Sequence, residues 1–269
     1  MSSKTDQRAK EILRILLQQG KTSVEELTER FATSAASVRR DLVRLEERGL
    51  VHRTHGGAML AEQAGSHVGS PIIWEPFRFD ASFREREDRF AAEKQRIAGA
   101  AASLVQDKET IGVTAGTTTT LVARCLRNRN GLHIVTNAVN IGMELSSSNG
   151  LDTTLTGGCM RWPGAFSLIG PTALEMLNVV LMDRVFIGVC GVDAERGATT
   201  IEAEEAAVFR LMARRSRQVV VVADSSKVGM TSPGVICPVE DIDILITDDG
   251  ISEGAAQAFA RSGVQVISV

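Results

Sequence analysis

The stretch 111–126, IGVTAGTTTTLVARCL, decides the fold because its pattern changes twice within a few residues. A short apolar run meets one glycine, four consecutive threonines follow, and an apolar segment with helical spacing comes next. This order is typical of a strand that ends in a loop of small residues and continues as a helix. Backbone amides and threonine hydroxyls at the beginning of such a helix can bind an anion. We therefore expect a strand over 110–114, a helix over 118–127 and an anion-binding loop between them.

Strands and helices continue to alternate after this stretch. A helical pattern over 85–105 precedes it, and further helices are predicted over 138–147, 171–180, 204–215 and 252–262. Strands are predicted over 133–136 and in the segments TTLTGG, DRVFIGV, QVVVVA and DILIT. The alternation predicts a Rossmann-like α/β domain, with a mostly parallel sheet covered by helices on both faces.

Small and polar residues follow several of the predicted strands, where open parallel sheets bind their ligands. A threonine loop and a lysine are suited to a phosphate, and Asn137, Asp193 and Asp224 are suited to the hydroxyl groups of a sugar. The candidate ligand-binding residues are Gly116, Thr117, Thr118, Thr119, Asn137, Gly188, Gly191, Asp193, Asp224, Ser226 and Lys227.

Simpler roles are open for the same residues. Threonine-rich turns often only cap a helix, and Asn137 could cap the helix that follows it. Asp193 could be a turn aspartate, and a single lysine such as Lys227 is most often exposed. Three acidic residues are placed to open a helix favourably, and we assign them no chemistry. They are Glu202, Glu204 and Glu205.

The first sixty residues carry a different pattern. Three short helical patterns follow one another, the second opened by a capping box at Ser23 and Glu26 and the third beginning near Ser34. The segment LVHRTHGGAML indicates a hairpin that turns at Gly56 and Gly57. Three helices followed by a hairpin predict a winged helix-turn-helix over 1–60.

Charge is distributed unevenly along the chain. Residues 1–60 carry 11 Lys plus Arg against 8 Asp plus Glu, a net charge of +3. Residues 61–269 carry 19 against 25, a net charge of −6. A basic front on an acidic body is expected where only the front binds a polyanion.

The third helix carries residues suited to DNA. Its apolar face consists of Val38, Leu42 and Leu45, so small residues at its start and several arginines face outward. Small residues allow close approach to base edges, and arginines contact phosphates or guanine, although arginines on a helix are more often a solvated surface. The candidate DNA-binding residues are Ser34, Ala35, Ala36, Ser37, Arg39, Arg40, Arg44, Arg53 and His55.

The segment 37–58, SVRRDLVRLEERGLVHRTHGGA, resembles the front end of DeoR-type bacterial transcriptional regulators. That family pairs an Arg-Arg-Asp-Leu recognition helix with a wing ending in His-Gly-Gly-Ala. The resemblance continues through FRERE…EKQRIAGAAA, AGTTTT, VTN, TGG, FIGVCGVD, ADSSK and ITDDG. It implies a body that resembles sugar-phosphate isomerases and binds a phosphorylated sugar or a related metabolite. Thr114 departs from the family, which usually carries aspartate there, and this predicts a different ligand preference.

These observations predict a DNA-binding domain over 1–60, a linker over 61–82 and a sensing and oligomerisation domain over 83–269. We expect a homodimeric or homotetrameric repressor of a carbohydrate-metabolism operon, released from double-stranded operator DNA by a phosphorylated sugar. One alternative is a sugar-phosphate isomerase with an appended DNA-binding domain, in which Asp193 and Lys227 could supply the base and acid. Another is an architectural DNA binder whose body has no ligand.

No cofactor, metal or catalytic residue is expected. The four cysteines (Cys125, Cys159, Cys190 and Cys237) are widely spaced, and His52 with His55 would make a poor metal site without further ligands. The polar beginning of the chain and the absence of a run of about 18 apolar residues predict a cytoplasmic protein without a membrane span.

Overall fold

The computed structural model describes residues 8, 11–13, 15–16, 21–47, 51–54, 56–60, 81–160 and 166–269. The chain divides into two compact units, 1–75 and 76–269, and each has its own hydrophobic core. Most of the predicted linker, 61–80, lies outside the described residues, as does His55. No helix in the described part of the chain is long and apolar enough to cross a membrane.

The first unit is a winged helix-turn-helix, as predicted. Residues 11–13 and 15–16 are helical. The labelled elements are β1 (Lys21–Ser23), α1 (Val24–Arg30), α2 (Ala35–Glu47), β2 (Val51–Thr54) and β3 (Gly57–Leu60). The three strands form an antiparallel sheet in the order β1-β3-β2, and β1 was not predicted.

Two local features fix this unit. The predicted capping box is confirmed, because the Glu26 amide donates to Ser23 Oγ at 3.1 Å and the Ser23 amide donates to Glu26 Oε2 at 3.0 Å. A Cβ atom at Gly57 would lie 2.3 Å from the Thr22 carbonyl oxygen, so the hairpin packs against β1 only with glycine there.

The second unit is an α/β domain. Its helices are α3 (Ala81–Asp88), α4 (Ala91–Ser103), α5 (Thr117–Leu126), α6 (Val139–Leu145), α7 (Pro171–Leu177), α8 (Ala203–Arg214) and α9 (Glu253–Arg261). Its strands are β4 (Thr110–Val113), β5 (Leu132–Thr136), β6 (Leu151–Leu155), β7 (Cys159–Met160), β8 (Leu168–Ile169), β9 (Arg184–Gly188), β10 (Gly191–Asp193), β11 (Gly197–Thr200), β12 (Val219–Val222), β13 (Gly234–Cys237), β14 (Ile244–Thr247) and β15 (Gln265–Ser268).

Seven strands form the central sheet, in the order β15-β14-β12-β9-β4-β5-β6, and every neighbouring pair is parallel. The four valines of β12 are all buried, as expected for a strand covered on both faces. The predicted strands and the helices after residue 117 are confirmed, with helix ends that differ by up to three residues. The sequence did not predict β15, the β7-β8 hairpin or the antiparallel sheet β10-β11-β13.

The prediction of one helix over 85–105 is wrong. The chain forms α3 and α4, which are separated at Arg89 and Phe90. Phe90 adopts a left-handed conformation with φ of 58°, which an uninterrupted helix does not allow. The ammonium group of Lys94 donates to the carbonyl oxygens of Arg86 and Arg89, which lie at the end of α3 and just beyond it. These contacts satisfy carbonyl groups that the break leaves without helical partners.

Candidate functional site

A cavity of about 370 Å³ opens beyond the carboxyl ends of three neighbouring strands, β4, β9 and β12. Residues 115–118 follow β4, and residues 188–190 begin with the last residue of β9. Residues 222–224 begin with the last residue of β12, and Ser226 and Lys227 come shortly after them. All of these residues line the cavity. Side chains of α3, α4 and α8 complete the wall. The cavity therefore occupies the position at which open parallel sheets bind ligands.

The threonine loop forms the floor of the cavity at the beginning of α5. Gly116, Thr117 and Thr118 line the cavity, and Gly116 precedes the first residue of the helix. Thr119 does not line the cavity: it is fully buried, and its hydroxyl donates to the Gly116 carbonyl at 3.0 Å. The loop thus offers amides and hydroxyls from 116–118 at the positive end of a helix dipole.

Two residues behind the loop hold it in place. Asn137 is fully buried, and its Oδ1 accepts from the Ala115 amide at 3.0 Å while its Nδ2 donates to Ser167 Oγ and to the Leu168 carbonyl. The hydroxyl of Thr114 accepts from the Gly188 amide at 3.0 Å. Neither residue lines the cavity, and the residue at the N-cap of α6 is Ala138, so Asn137 does not cap that helix.

Asp193 and Gly191 also lie outside the cavity lining. The carboxylate of Asp193 accepts from the amides of Glu195 and Arg196 at 2.9 and 3.0 Å, the arrangement of a turn aspartate. A Cβ atom at Gly191 would lie 2.3 Å from the Met230 carbonyl oxygen, so this glycine serves a close backbone contact. Gly188 and Lys227, in contrast, line the cavity.

Asp224 and Ser226 form a hydrogen-bonded pair in the wall. The Asp224 side chain is only 3% exposed, and its Oδ1 accepts from the Ser226 hydroxyl. The short 3₁₀ helix Ser225–Lys227 is anchored from behind, where the Ser225 amide donates to Asp248 Oδ1 at 2.6 Å. Burial raises the pKa of the Asp248 carboxyl, but hydrogen bonds from the Ser225 amide, the Ser225 hydroxyl and the Gly250 amide lower it. The pKa is lowered on balance.

Three basic residues of α3, α4 and the break between them line the cavity beside Lys227, and the sequence did not indicate them as ligands. They are Arg86, Arg89 and Lys94. Lys94 is 4% exposed, and burial lowers its pKa; the charges of Lys227, Arg86 and Arg89 act in the same direction, and Asp224 opposes them. Their close spacing within residues 86–94 is visible in the sequence, but the helical pattern of this segment does not indicate that the three side chains share a cavity.

The lining of the cavity also carries a second carboxylate. Glu205, at the beginning of α8, is 8% exposed, and its Oε2 accepts from the Thr200 hydroxyl at 2.8 Å. Cys190 lies beside them, with its sulfur 3.6 Å from the same hydroxyl. All three residues line the cavity together with the exposed Ile201. The sequence explained Glu205 only as a favourable acid at a helix start.

In the first unit, α2 has the two faces that the sequence predicts. Val38, Leu42 and Leu45 are at most 1% exposed. Ser34, Ala36, Arg39, Arg40 and Arg44 are exposed, and Ala35 and Ser37 are half-buried. The result is an outward face with small residues at the start of the helix and arginines along it.

Arg53, in strand β2 of the wing, forms an ion pair with Glu46 of α2. Its Nε lies 2.5 Å from Glu46 Oε2, and its amide donates to Glu46 Oε1 at 3.0 Å. These contacts hold β2 against α2 and lower the pKa of the Glu46 carboxyl. Among the described residues, no group of three or more His, Cys, Asp or Glu side chains is placed to hold a metal ion.

Comparison with known proteins gives matches to both units. Residues 8–64 match the DeoR-like helix-turn-helix domain, and residues 89–249 match the DeoR C terminal sensor domain. The HTH-type transcriptional repressor GlcR of Bacillus subtilis is 31% identical, covering 97% of this chain and 95% of that protein. The glycerol-3-phosphate regulon repressor of Escherichia coli is 31% identical, covering 91% of each chain. A ribose 5-phosphate isomerase A structure from Neisseria gonorrhoeae is 17% identical with a TM-score of 0.39, over 52% of this chain and 54% of that one.

Proposed function

Because the chain belongs to the DeoR family of transcriptional regulators, with a helix-turn-helix domain before a sensor domain, we propose that it represses a carbohydrate-metabolism operon. A phosphorylated sugar or related metabolite enters the cavity of the sensor domain and releases the protein from double-stranded operator DNA. Both relatives described above are named as repressors.

The charge of the cavity is the observation that carries this proposal. Four cationic side chains and the amino terminus of α5 converge on one space, and two buried carboxylates share it. A phosphate group carries close to two negative charges at neutral pH and three acceptor oxygens, so this surplus of positive charge favours it. We assign the phosphate to Gly116, Thr117 and Thr118 at the helix terminus, with Lys227 as a charged donor.

Asp224 favours a hydroxylated ligand. It is nearly buried and accepts from Ser226, and a carboxylate buried beside a ligand gains from further donors that replace water. Hydroxyl groups next to the phosphate would supply such donors. Ser226 and Gly188 complete the proposed ligand set, whereas Thr119, Asn137, Gly191 and Asp193 support the walls from outside the cavity.

The outward face of α2 supports the DNA-binding half of the proposal. Arg39, Arg40 and Arg44 are exposed along the helix, where they can contact phosphates or guanine edges. A homodimer or homotetramer would place two or more such helices on repeated half-sites, which raises affinity and sets their spacing.

The isomerase alternative loses its acid–base pair. Lys227 lines the cavity, but Asp193 is used in a turn outside it. The relatives over nearly the whole chain are named as regulators. We therefore assign the cavity to sensing rather than to turnover.

A thermal-shift screen of phosphorylated sugars and polyols, each paired with its unphosphorylated form, tests the proposal. A ligand at about 100 times its dissociation constant stabilises the protein by about 2.7 kcal/mol, which such a screen detects. We expect stabilisation only by phosphorylated compounds, and the stabilising compound should release the protein from operator DNA in a mobility-shift assay. Equal stabilisation by the unphosphorylated forms would contradict the phosphate site.

A further inference from the structure

Lys94 lies in an unusual position for a lysine, because it is buried between the cavity and the carboxyl end of α3. Its side chain is 4% exposed, whereas lysines are almost never fully buried unless paired. Its ammonium group donates to two carbonyl oxygens, those of Arg86 and Arg89, and the second contact is 2.6 Å long. It also lines the cavity. The same charged group therefore belongs both to the ligand site and to the termination of a helix.

Burial disfavours the charged form of Lys94 and lowers its pKa. Lys227, Arg86 and Arg89 repel the ammonium group, and Asp224 is the carboxylate that favours it. A bound phosphate would add negative charge in the same space and so favour the charged form of Lys94. Since an ammonium group has three donors and two are directed to carbonyl oxygens, the third can serve an oxyanion without loss of those bonds.

The helix that Lys94 terminates contacts the rest of the domain through its side chains. The sequence of α3 is ASFRERED, in which Phe83 is the only large apolar residue. Phe83 packs edge-to-face on Phe166 with ring centroids 5.5 Å apart, and Glu87 pairs with Arg124 at 2.6 Å. At its carboxyl end, the ammonium of Lys94 donates to the Arg86 carbonyl. Local opening of this end of the helix would break that contact.

We propose that Lys94 couples the cavity to α3, so that a bound phosphate strengthens the hold of its ammonium group on the end of α3 and fixes this helix on the sensor domain. The proposal rests on the phosphate site proposed above. It makes Lys94 a positioning residue as well as a ligand. Because α3 is the first helix of the second unit and follows the segment that leads from the DNA-binding unit, fixing it provides a route from ligand to DNA.

Hydrogen exchange on the full chain, with inorganic phosphate as the probe, tests this coupling. We expect saturating phosphate to protect two segments of the wild-type protein, the amides of 117–119 at the beginning of α5 and those of α3. The slowing in α3 should be roughly 5- to 150-fold, the usual range for coupling between two sites. Chloride at equal ionic strength separates binding from screening.

The variant Lys94→Met retains a long side chain but cannot donate. At saturating phosphate it should keep the protection of 117–119 and lose the phosphate-dependent protection of α3. Lys108→Met, at an exposed lysine outside the cavity, should behave as the wild type. A lysine with only a structural role would change the exchange of α3 equally with and without phosphate, so the difference between the two conditions is decisive.

The outcomes separate the two proposals. Protection of 117–119 without any effect on α3 in the wild type overturns the coupling and leaves the phosphate site in place. Phosphate-dependent protection of α3 that persists in Lys94→Met also overturns it. Protection of neither segment in the wild type overturns the phosphate site itself, and the coupling with it. The wild-type measurement decides the matter even if the variant does not fold.

Discussion

Asn137 shapes the cavity although it does not line it. Its amide group satisfies the Ala115 amide on one side and Ser167 and the Leu168 carbonyl on the other, all within the buried interior. The position of residue 115 determines where the following loop presents its amides. The buried side chain of Asn137 thus connects residues 167–168 to the loop after β4 and helps to fix the position of that loop.

Replacing Asn137 with alanine should lower the free energy of unfolding by about 1–3 kcal/mol, because buried groups would lose their partners. Chemical denaturation measures this change. Asn128→Ala, at an exposed position after α5, serves as the control and should have little effect. An unchanged unfolding midpoint for Asn137→Ala would mean that water or a shifted loop satisfies these groups.

The role of individual residues was only partly predictable from the sequence. The location of Gly116, Thr117, Thr118 and Lys227 could be predicted, because strand ends in a parallel sheet meet at one edge. The orientation of the side chains could not, since Thr119 and Asp193 differ from their neighbours only in which backbone groups they contact. Lys94 was missed because its importance depends on burial, which helical spacing does not reveal.

Lys227 and Asp193 give a sharp contrast at this scale. Lys227→Ala should weaken binding of the phosphorylated ligand found in the screen by roughly 10- to 150-fold, since a charged hydrogen bond contributes about 1.5–3 kcal/mol. Asp193→Ala should leave the affinity unchanged because Asp193 lies outside the cavity lining. Isothermal titration calorimetry measures both. The reverse ranking would place the ligand elsewhere.

At the scale of elements, periodicity predicted the α-helices described after residue 110 and six of the seven strands of the central sheet. It failed where tertiary contacts decide the result. The break between α3 and α4 depends on the left-handed Phe90 and on the carbonyl contacts of Lys94, neither of which alters the helical pattern of the sequence. Strand β1 forms by pairing with β3, which lies far along the chain, and β7 and β10 contain only two and three residues, so their own residues carry little signal.

Helix α2 is the element on which DNA recognition depends in our proposal. Arg40→Ala should weaken operator binding by about 1–3 kcal/mol if its guanidinium contacts a base. Its contacts in the free protein, to the Ala36 carbonyl and Ser37 Oγ, are long at 3.4 and 3.5 Å and cost little to break. Fluorescence anisotropy with labelled operator measures the change.

Two controls belong to this measurement. Arg217→Ala, at a highly exposed arginine of the second unit, should leave operator binding unchanged. Ligand-induced stabilisation of Arg40→Ala should equal that of the wild type, because its cavity is untouched. An operator affinity of Arg40→Ala equal to that of the wild type would remove this residue from the recognition surface.

At the scale of the whole molecule, the chain combines two independently packed units with separate chemistry. Each has its own hydrophobic core, and the charged groups of the cavity all come from the second unit. A sensor requires only that the ligand distinguish two states of the protein by a modest free energy. Such a division allows DNA binding and ligand binding to be altered separately by substitution.

Linkage makes a quantitative prediction for the intact protein. If the ligand lowers operator affinity by a given factor, operator DNA must lower ligand affinity by the same factor. We expect this factor to lie between roughly 5 and 150, the ordinary range for coupled sites. Calorimetry with the ligand, in the presence and absence of saturating operator duplex, measures it. Identical ligand affinities in the two experiments would contradict the release mechanism.

The walls of the cavity also suggest how such a regulator can be reprogrammed. The anion-binding loop lies after β4, whereas Cys190, Ile201 and Glu205 lie on separate segments of the chain. Ile201 is 60% exposed, so it tolerates replacement without disturbing the core. In our proposal, a library confined to these three positions would vary the contacts to the body of the ligand and leave the proposed phosphate-binding residues unchanged. The same separation gives gene duplicates a short mutational path to new inducers, and it makes this scaffold a practical starting point for engineered metabolite biosensors.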